Sequence, residues 1–185
     1  MVYIIEMWCD GACRNNGGYN PNKPIFAGAG VYYPRGKPVL RRQYRPLPHA
    51  AKRGNKTATN NRAEIEAVIL ALETALQVKE ALVNDPWVSV RINTDSEYVR
   101  DAMMSWSSEW QENGWRNAKG GPVANQDLFR KALRLERQIL DFKAHIAYIH
   151  VYREDNEEAN ELANKACDVA ERQYYGSDSG YDSDY

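Results

Sequence analysis

The chain is poor in cysteine, has no long apolar run, and over one long stretch has no acid at all. Its three cysteines, Cys9, Cys13 and Cys167, are an odd count and form no CxxC pair. That argues against a disulfide framework or a zinc site and fits a reducing, intracellular compartment, cytoplasmic or nuclear. No apolar stretch approaches the roughly 20 residues that cross a bilayer. Met1 leads directly into the strand-like Val2-Tyr3-Ile4-Ile5, without the basic, apolar and small-residue sequence of a secretion signal. Membrane and secreted classes are therefore not expected. Between Asp10 and Glu64 there is no Asp or Glu, yet the stretch holds Arg14, Lys23, Arg35, Lys37, Arg41, Arg42, Arg45, Lys52, Arg53, Lys56 and Arg62. A block of one sign suggests a polyanion partner, most simply a phosphate backbone. A solvated basic sheet edge is the plainer alternative.

What is present is ordinary in bulk. The 185 residues, 43% hydrophobic and 26% charged with a net charge of −1, describe one soluble globular domain. Alternation over 2–9 predicts a strand ending at Asp10, and 26–33 and 38–45 predict two more, joined by the Pro34-Arg35-Gly36-Lys37 turn. A basic loop over 46–60 leads into a helix from about Asn61, with Ile65, Val68, Ile69, Leu72 and Leu76 at helical spacing. A fourth strand over 87–93 ends at Asp95, followed by a short helix through Tyr98 and Met103. Trp106, Trp110 and Trp115 come next, then an amphipathic helix marked by Leu128, Leu133 and Ile139. A fifth strand is predicted over 144–151 and a final helix over 156–173, with 174–185 as a polar, acidic, disordered tail beyond the domain at 1–173. Hairpin-linked strands followed by strands alternating with helices imply an α/β fold: a five-stranded mixed sheet, three strands antiparallel and two parallel, flanked by helices.

Three acids lie far apart in the chain, each in its own motif: Trp8-Cys9-Asp10-Gly11, Thr59-Asn60-Asn61-Arg62-Ala63-Glu64 and Asn93-Thr94-Asp95-Ser96. Two end predicted strands, where active sites of open sheets collect, and one opens a helix. Brought together, they form a cluster of negative charge that is costly unless cations fill it. Taken singly, Asp10 and Asp95 also read as turn residues and Glu64 as a first-turn acid favoured by the helix dipole.

These motifs resemble the ribonuclease H family, type 1 class. The resemblance extends through Asn113-Gly114-Trp115, Pro122-Val123-Ala124-Asn125-Gln126-Asp127-Leu128-Phe129 and Asn156-Glu157-Glu158-Ala159-Asn160-Glu161-Leu162-Ala163, covering residues 2 to about 173 in the family's order. It implies endonucleolytic hydrolysis of the RNA strand of RNA–DNA hybrids with two Mg²⁺ ions, or Mn²⁺ as substitute. On that resemblance Asp10 bridges the ions, with Glu64 and Asp95 completing the leaving-group side. Asn61 and Asn125 would read RNA 2′-hydroxyls, Thr59 would hold a DNA phosphate near Lys52, Arg53 and Lys56, and Trp106 would pack on DNA sugars. Trp110 and Trp115 are expected to build the core of the Trp-rich segment, the handle. A monomer is expected.

Three departures stand out. The family's fourth carboxylate is Asn160 here, a carboxamide that can ligate a metal but carries no charge. It leaves three readings: an enzyme with weakened metal affinity, a hybrid-binding protein that does not cut, or a substitution introduced to trap substrate. Glu157, one turn earlier, is the candidate substitute ligand. In the loop before the last helix, His150 takes the position of the family's mobile His, a proton shuttle in reach of the metals, and also fits as a strand residue. Arg153 is the other candidate there, as a phosphate or carboxylate partner. The handle holds only Arg116 and Lys119 as basic residues, so hybrid affinity is expected to rest on the segment from Arg35 to Lys56. More distant relatives of the same superfamily, a 3′ exonuclease or an integrase core, fit the Asn-Asn-Arg-Ala-Glu motif and the Trp-rich segment less well.

Overall fold

The computed structural model describes residues 2–15, 24–48, 58–84, 86–140 and 143–178. Five strands form one sheet in the order β3-β2-β1-β4-β5. They are β1 (Val2–Arg14), β2 (Phe26–Tyr32), β3 (Arg42–Leu47), β4 (Trp87–Thr94) and β5 (Ala144–His150). The β1–β2 and β2–β3 pairs are antiparallel, and β1–β4 and β4–β5 are parallel. The helices are α1 (Pro38–Arg41), α2 (Asn60–Glu80), α3 (Glu97–Asp101), α4 (Ser107–Glu112), α5 (Gln126–Leu140) and α6 (Glu157–Asp178). A π-helical turn, Ala102–Trp106, joins α3 to α4.

The two faces of β1 are buried differently. Ile5, Met7 and Cys9 alternate into the main core, with Val90 and Ile92 of β4 and with Ile65, Val68, Ile69 and Leu72 of α2. The opposite face of β2 is covered by α6. A Cβ on Gly30 would run into the backbone of Ala159 and Ala163, so only glycine lets this helix lie so close. Trp110 and Trp115 are buried with Phe129, as expected for the handle's core. No helix among the described residues is long and apolar enough to cross a membrane.

Apart from shifts of about one residue and the added helix α4, the elements differ from the sequence expectation in four places. First, β1 continues to Arg14 because residues 9–14 pair with β2, but its pairing with β4 stops at Cys9, so Asp10 still sits where β1 parts from its parallel neighbour. Second, the expected strand over 38–45 is a helical turn and then a strand: Pro38 suits the first helical turn, where no N–H is required. Third, β3 absorbs Pro46, which the expectation placed in a loop. The strand is at the sheet edge, where a missing donor is tolerated. Finally, α6 runs to Asp178, so part of the expected tail is helix. Tyr174 and Tyr175 pack on Phe26 there, and that contact continues the helix.

Candidate metal centre and nucleic-acid interface

Three elements deliver the carboxylates. Asp10 comes from β1, Glu64 from the second turn of α2, not the first turn expected, and Asp95 from the residue after β4. One oxygen of each lies within 4.8 Å of the others. The approach of α2 depends on Gly11, where a Cβ would collide with the backbone of Ala63 and Glu64. The N-terminus of α2 is fixed by Thr59, whose Oγ1 accepts from the Arg62 N–H at 3.2 Å.

The electrostatics are those of crowded acids. Burial first, then the Asp95 carboxylate, pushes Asp10 up to about 7, with Arg153 and the Gly11 N–H opposing. Burial first, then Asp10 and Asp95, pushes Glu64 up to about 9. Glu64 Oε2 is buried with no hydrogen-bond partner. Hard oxygen donors, mutual repulsion and an orphaned buried oxygen together fit a divalent cation.

A second layer holds this cluster in place. Asn156, 1% exposed, donates from Nδ2 to the Cys9 carbonyl at 3.1 Å and to Asp95 Oδ1 at 3.2 Å. It therefore ties the strand that carries Asp10 to the Asp95 carboxylate. Nothing in its motif marks Asn156 for this role; its adjacency to Asp95 exists only once β4 and the start of α6 are placed. Arg153 spans the mouth, 3.8 Å from Asp95 Oδ2 and donating to Asn160 Oδ1 at 3.4 Å. Asn160 Oδ1 also accepts from Asn164 Nδ2 at 2.9 Å. Glu157 is exposed and lies outside the carboxylate group, as does His150. His150 closes β5 in register with Thr94 and Cys9, the row facing α2, whereas Asp10 pairs with Gly30 in the row facing α6. Its ring packs edge-on to Tyr152.

Of the expected substrate residues, Thr59 and Asn61 lie at the start of α2, the helix that carries Glu64. Asn61 is exposed on the first turn of α2. Asn125 has left-handed backbone (φ 57°), and its carbonyl accepts from the N–H groups of Leu128 and Phe129 at the start of α5. Arg62 joins the two segments, donating to both carboxylate oxygens of Asp127 at 2.9 and 2.6 Å and to Asn125 Oδ1 at 3.5 Å. This fork was missed from sequence, although both partners lie in quoted motifs. Trp106 is 38% exposed, its ring 6.0 Å from those of Tyr98 and Trp110. Lys52, Arg53 and Lys56 lie outside the described residues.

The basic block between Asp10 and Glu64 proves partly neutralised from elsewhere in the chain. Arg14 pairs with Asp168, Arg42 with Glu161, Arg45 with Glu73 and Arg62 with Asp127. Four of its basic side chains thus serve the fold, and the phosphate reading rests on the others.

Comparison with known proteins agrees with this geometry. The RNase H family model matches residues 3–168. A ribonuclease H of Alkalilimnicola ehrlichii is 36% identical over 163 residues, covering 87% of this chain and 92% of that protein. One from Actinobacillus pleuropneumoniae is 30% identical, covering 98% and 99%. Among solved structures, RNase H1 of the halophilic archaeon Halobacterium salinarum is similar at a TM-score of 0.56 and 27% identity, covering 90% of this chain and 99% of that one. LC11-RNase H1 in complex with RNA/DNA hybrid is similar at 0.57 and 25%, covering 90% and 98%.

Proposed function

The chain belongs to the RNase H family of ribonucleases, and from that premise we propose that it hydrolyses the RNA strand of RNA–DNA hybrids in a divalent-metal-dependent reaction. The observation that carries this reading is the convergence of Asp10, Glu64 and Asp95 from three elements with one carboxylate oxygen of Glu64 left unpartnered. Asp10, Glu64, Asp95 and Asn160 would hold the metal, two Mg²⁺ ions with Mn²⁺ as substitute, and the chemistry supplied there would be activation of a water and neutralisation of charge at the leaving oxygen. Asp10 would serve both ions, Glu64 and Asp95 the leaving-group side and Asn160 the water side. Asn156 holds the Asp95 carboxylate in orientation. Asn61 and Asn125, tied through Arg62, are assigned the RNA 2′-hydroxyls. Thr59 with Lys52, Arg53 and Lys56 is assigned a DNA phosphate, and Trp106 the DNA sugars. His150 is assigned proton transfer and Arg153 a phosphate contact at the mouth. A monomer working inside the cell completes the reading.

One observation favours a second reading, a hybrid-binding protein with little cleavage: Asn160 Oδ1 is already engaged by Asn164 and Arg153 and carries no charge. Cleavage of a hybrid across a Mg²⁺ and Mn²⁺ titration, comparing the chain with Asn160→Asp, separates the two. Cleavage by both, with the Asp form reaching half its maximal rate at several-fold lower metal, supports the enzyme. Cleavage by the Asp form alone supports the binding protein. No preference of either form for hybrid over duplex DNA rejects both.

A further inference from the structure

Helix α5 carries an arginine row that the assigned site does not use. Arg130, Arg134 and Arg137 are exposed and spaced i, i+4, i+7, which puts them on one helix face. With Gln111, Trp115 and Leu133 they line an open groove of about 360 Å³. The guanidinium of Arg130 lies over the Trp115 ring, 4.5 Å from its centroid. The other charges of α5 are spoken for: Asp127 pairs with Arg62, Lys131 with Glu73, and Glu136 accepts from the Tyr148 hydroxyl. Among the described residues none of the three arginines forms an ion pair. Like charges at helical spacing repel, by a few tenths of a kcal/mol per pair in isolated helices, so the row is not an arrangement that folding alone favours.

Its position indicates the occupant. Asn125, at the start of α5, is held by Arg62 next to the carboxylate cluster, whereas the far end of α5 packs beside the end of α2, where Lys79 donates to the Ile139 carbonyl. The row therefore begins in the second turn of the helix whose start is tied to α2 two residues before Glu64, and leads away from that end. From Arg130 to Arg137 it rises about 10 Å at 1.5 Å per residue, about three steps of one nucleic-acid strand at 3.4 Å each. We propose that this row binds the phosphate backbone of the hybrid beyond the segment being cut, as an exit track alongside the handle. The proposal rests on the hybrid-binding reading above.

The test compares the chain with Arg134→Gln/Arg137→Gln and with Arg134→Lys/Arg137→Lys, leaving Arg130 on Trp115. Affinity is measured by fluorescence anisotropy against salt, on a short hybrid just spanning the site, a longer hybrid, and duplex DNA of the longer length. The Gln pair is expected to reduce the log–log salt slope on the longer hybrid by about 2. It should leave the slope and the cleavage rate on the short hybrid unchanged, and the Lys pair should keep the full slope. An unchanged slope on the longer hybrid overturns the proposal, as does an equal loss on both lengths. If the unaltered chain does not prefer hybrid over duplex DNA, the functional reading fails. The row is then judged by the same slope difference on duplex DNA, where no change overturns it and points to an acidic protein partner instead.

Discussion

At the scale of residues, Asp10 and Glu64 trade stability for function. Both hold protons in the folded chain that an unfolded chain has released. Their contribution to stability is complete below about pH 4 and is lost as pH rises through about 7 for Asp10 and about 9 for Glu64. Asp10→Asn should therefore stabilise the metal-free protein at pH 8, by about 2 kcal/mol, and hardly at pH 4. Thermal melts in chelator at the two pH values check this, and added Mg²⁺ should stabilise the unaltered chain but not the variant. The three acids were legible in the sequence because each sits in a local motif with its own strand or helix signal. Asn156 and the Arg62–Asp127 fork were not, because each works through a partner on another element: 147 residues separate Asn156 from Cys9, and 65 separate Arg62 from Asp127.

At the scale of elements, the site is assembled by two close approaches, α2 onto Gly11 and α6 onto Gly28 and Gly30. Gly30→Val should push α6 off the sheet and cost about 1–3 kcal/mol or more. Denaturant unfolding measures that loss, and hybrid cleavage should fall further than the stability loss alone explains, because Asn156 and Asn160 move with the helix. Strand count and the order of the long elements were readable from periodicity, since each long element buries one face, whereas the short helices α1 and α4 were not. What failed was local. The Pro38 helical turn, the Pro46 edge strand and the extension of α6 to Asp178 are decided by neighbours, namely the solvent at the β3 edge and Phe26 beneath Tyr174. The π-helical turn before Trp106 also had no sequence signal.

At the scale of the whole molecule, a near-neutral chain must concentrate its positive charge to hold a polyanion. Four arginines of the basic block are committed to acids within the fold, which leaves Lys52, Arg53 and Lys56 as the largest basic group adjoining the Glu64 motif. Neutralising those three should flatten the salt dependence of hybrid binding by about 2–3 in log–log slope, more than neutralising Arg116 and Lys119. Binding isotherms at several salt concentrations rank the two sets. The glycine-lined contact between β2 and α6 also acts as a ruler. Where backbone rests on backbone there is no slack, so the helix cannot recoil to suit a longer side chain at its active end. The reach of residue 160 is then set by its own bonds: Asn160→Asp places a carboxylate at the depth of the present carboxamide, while Asn160→Glu overshoots by one methylene. A Glu variant that retains tight metal binding in a calorimetric titration would show that the ruler bends.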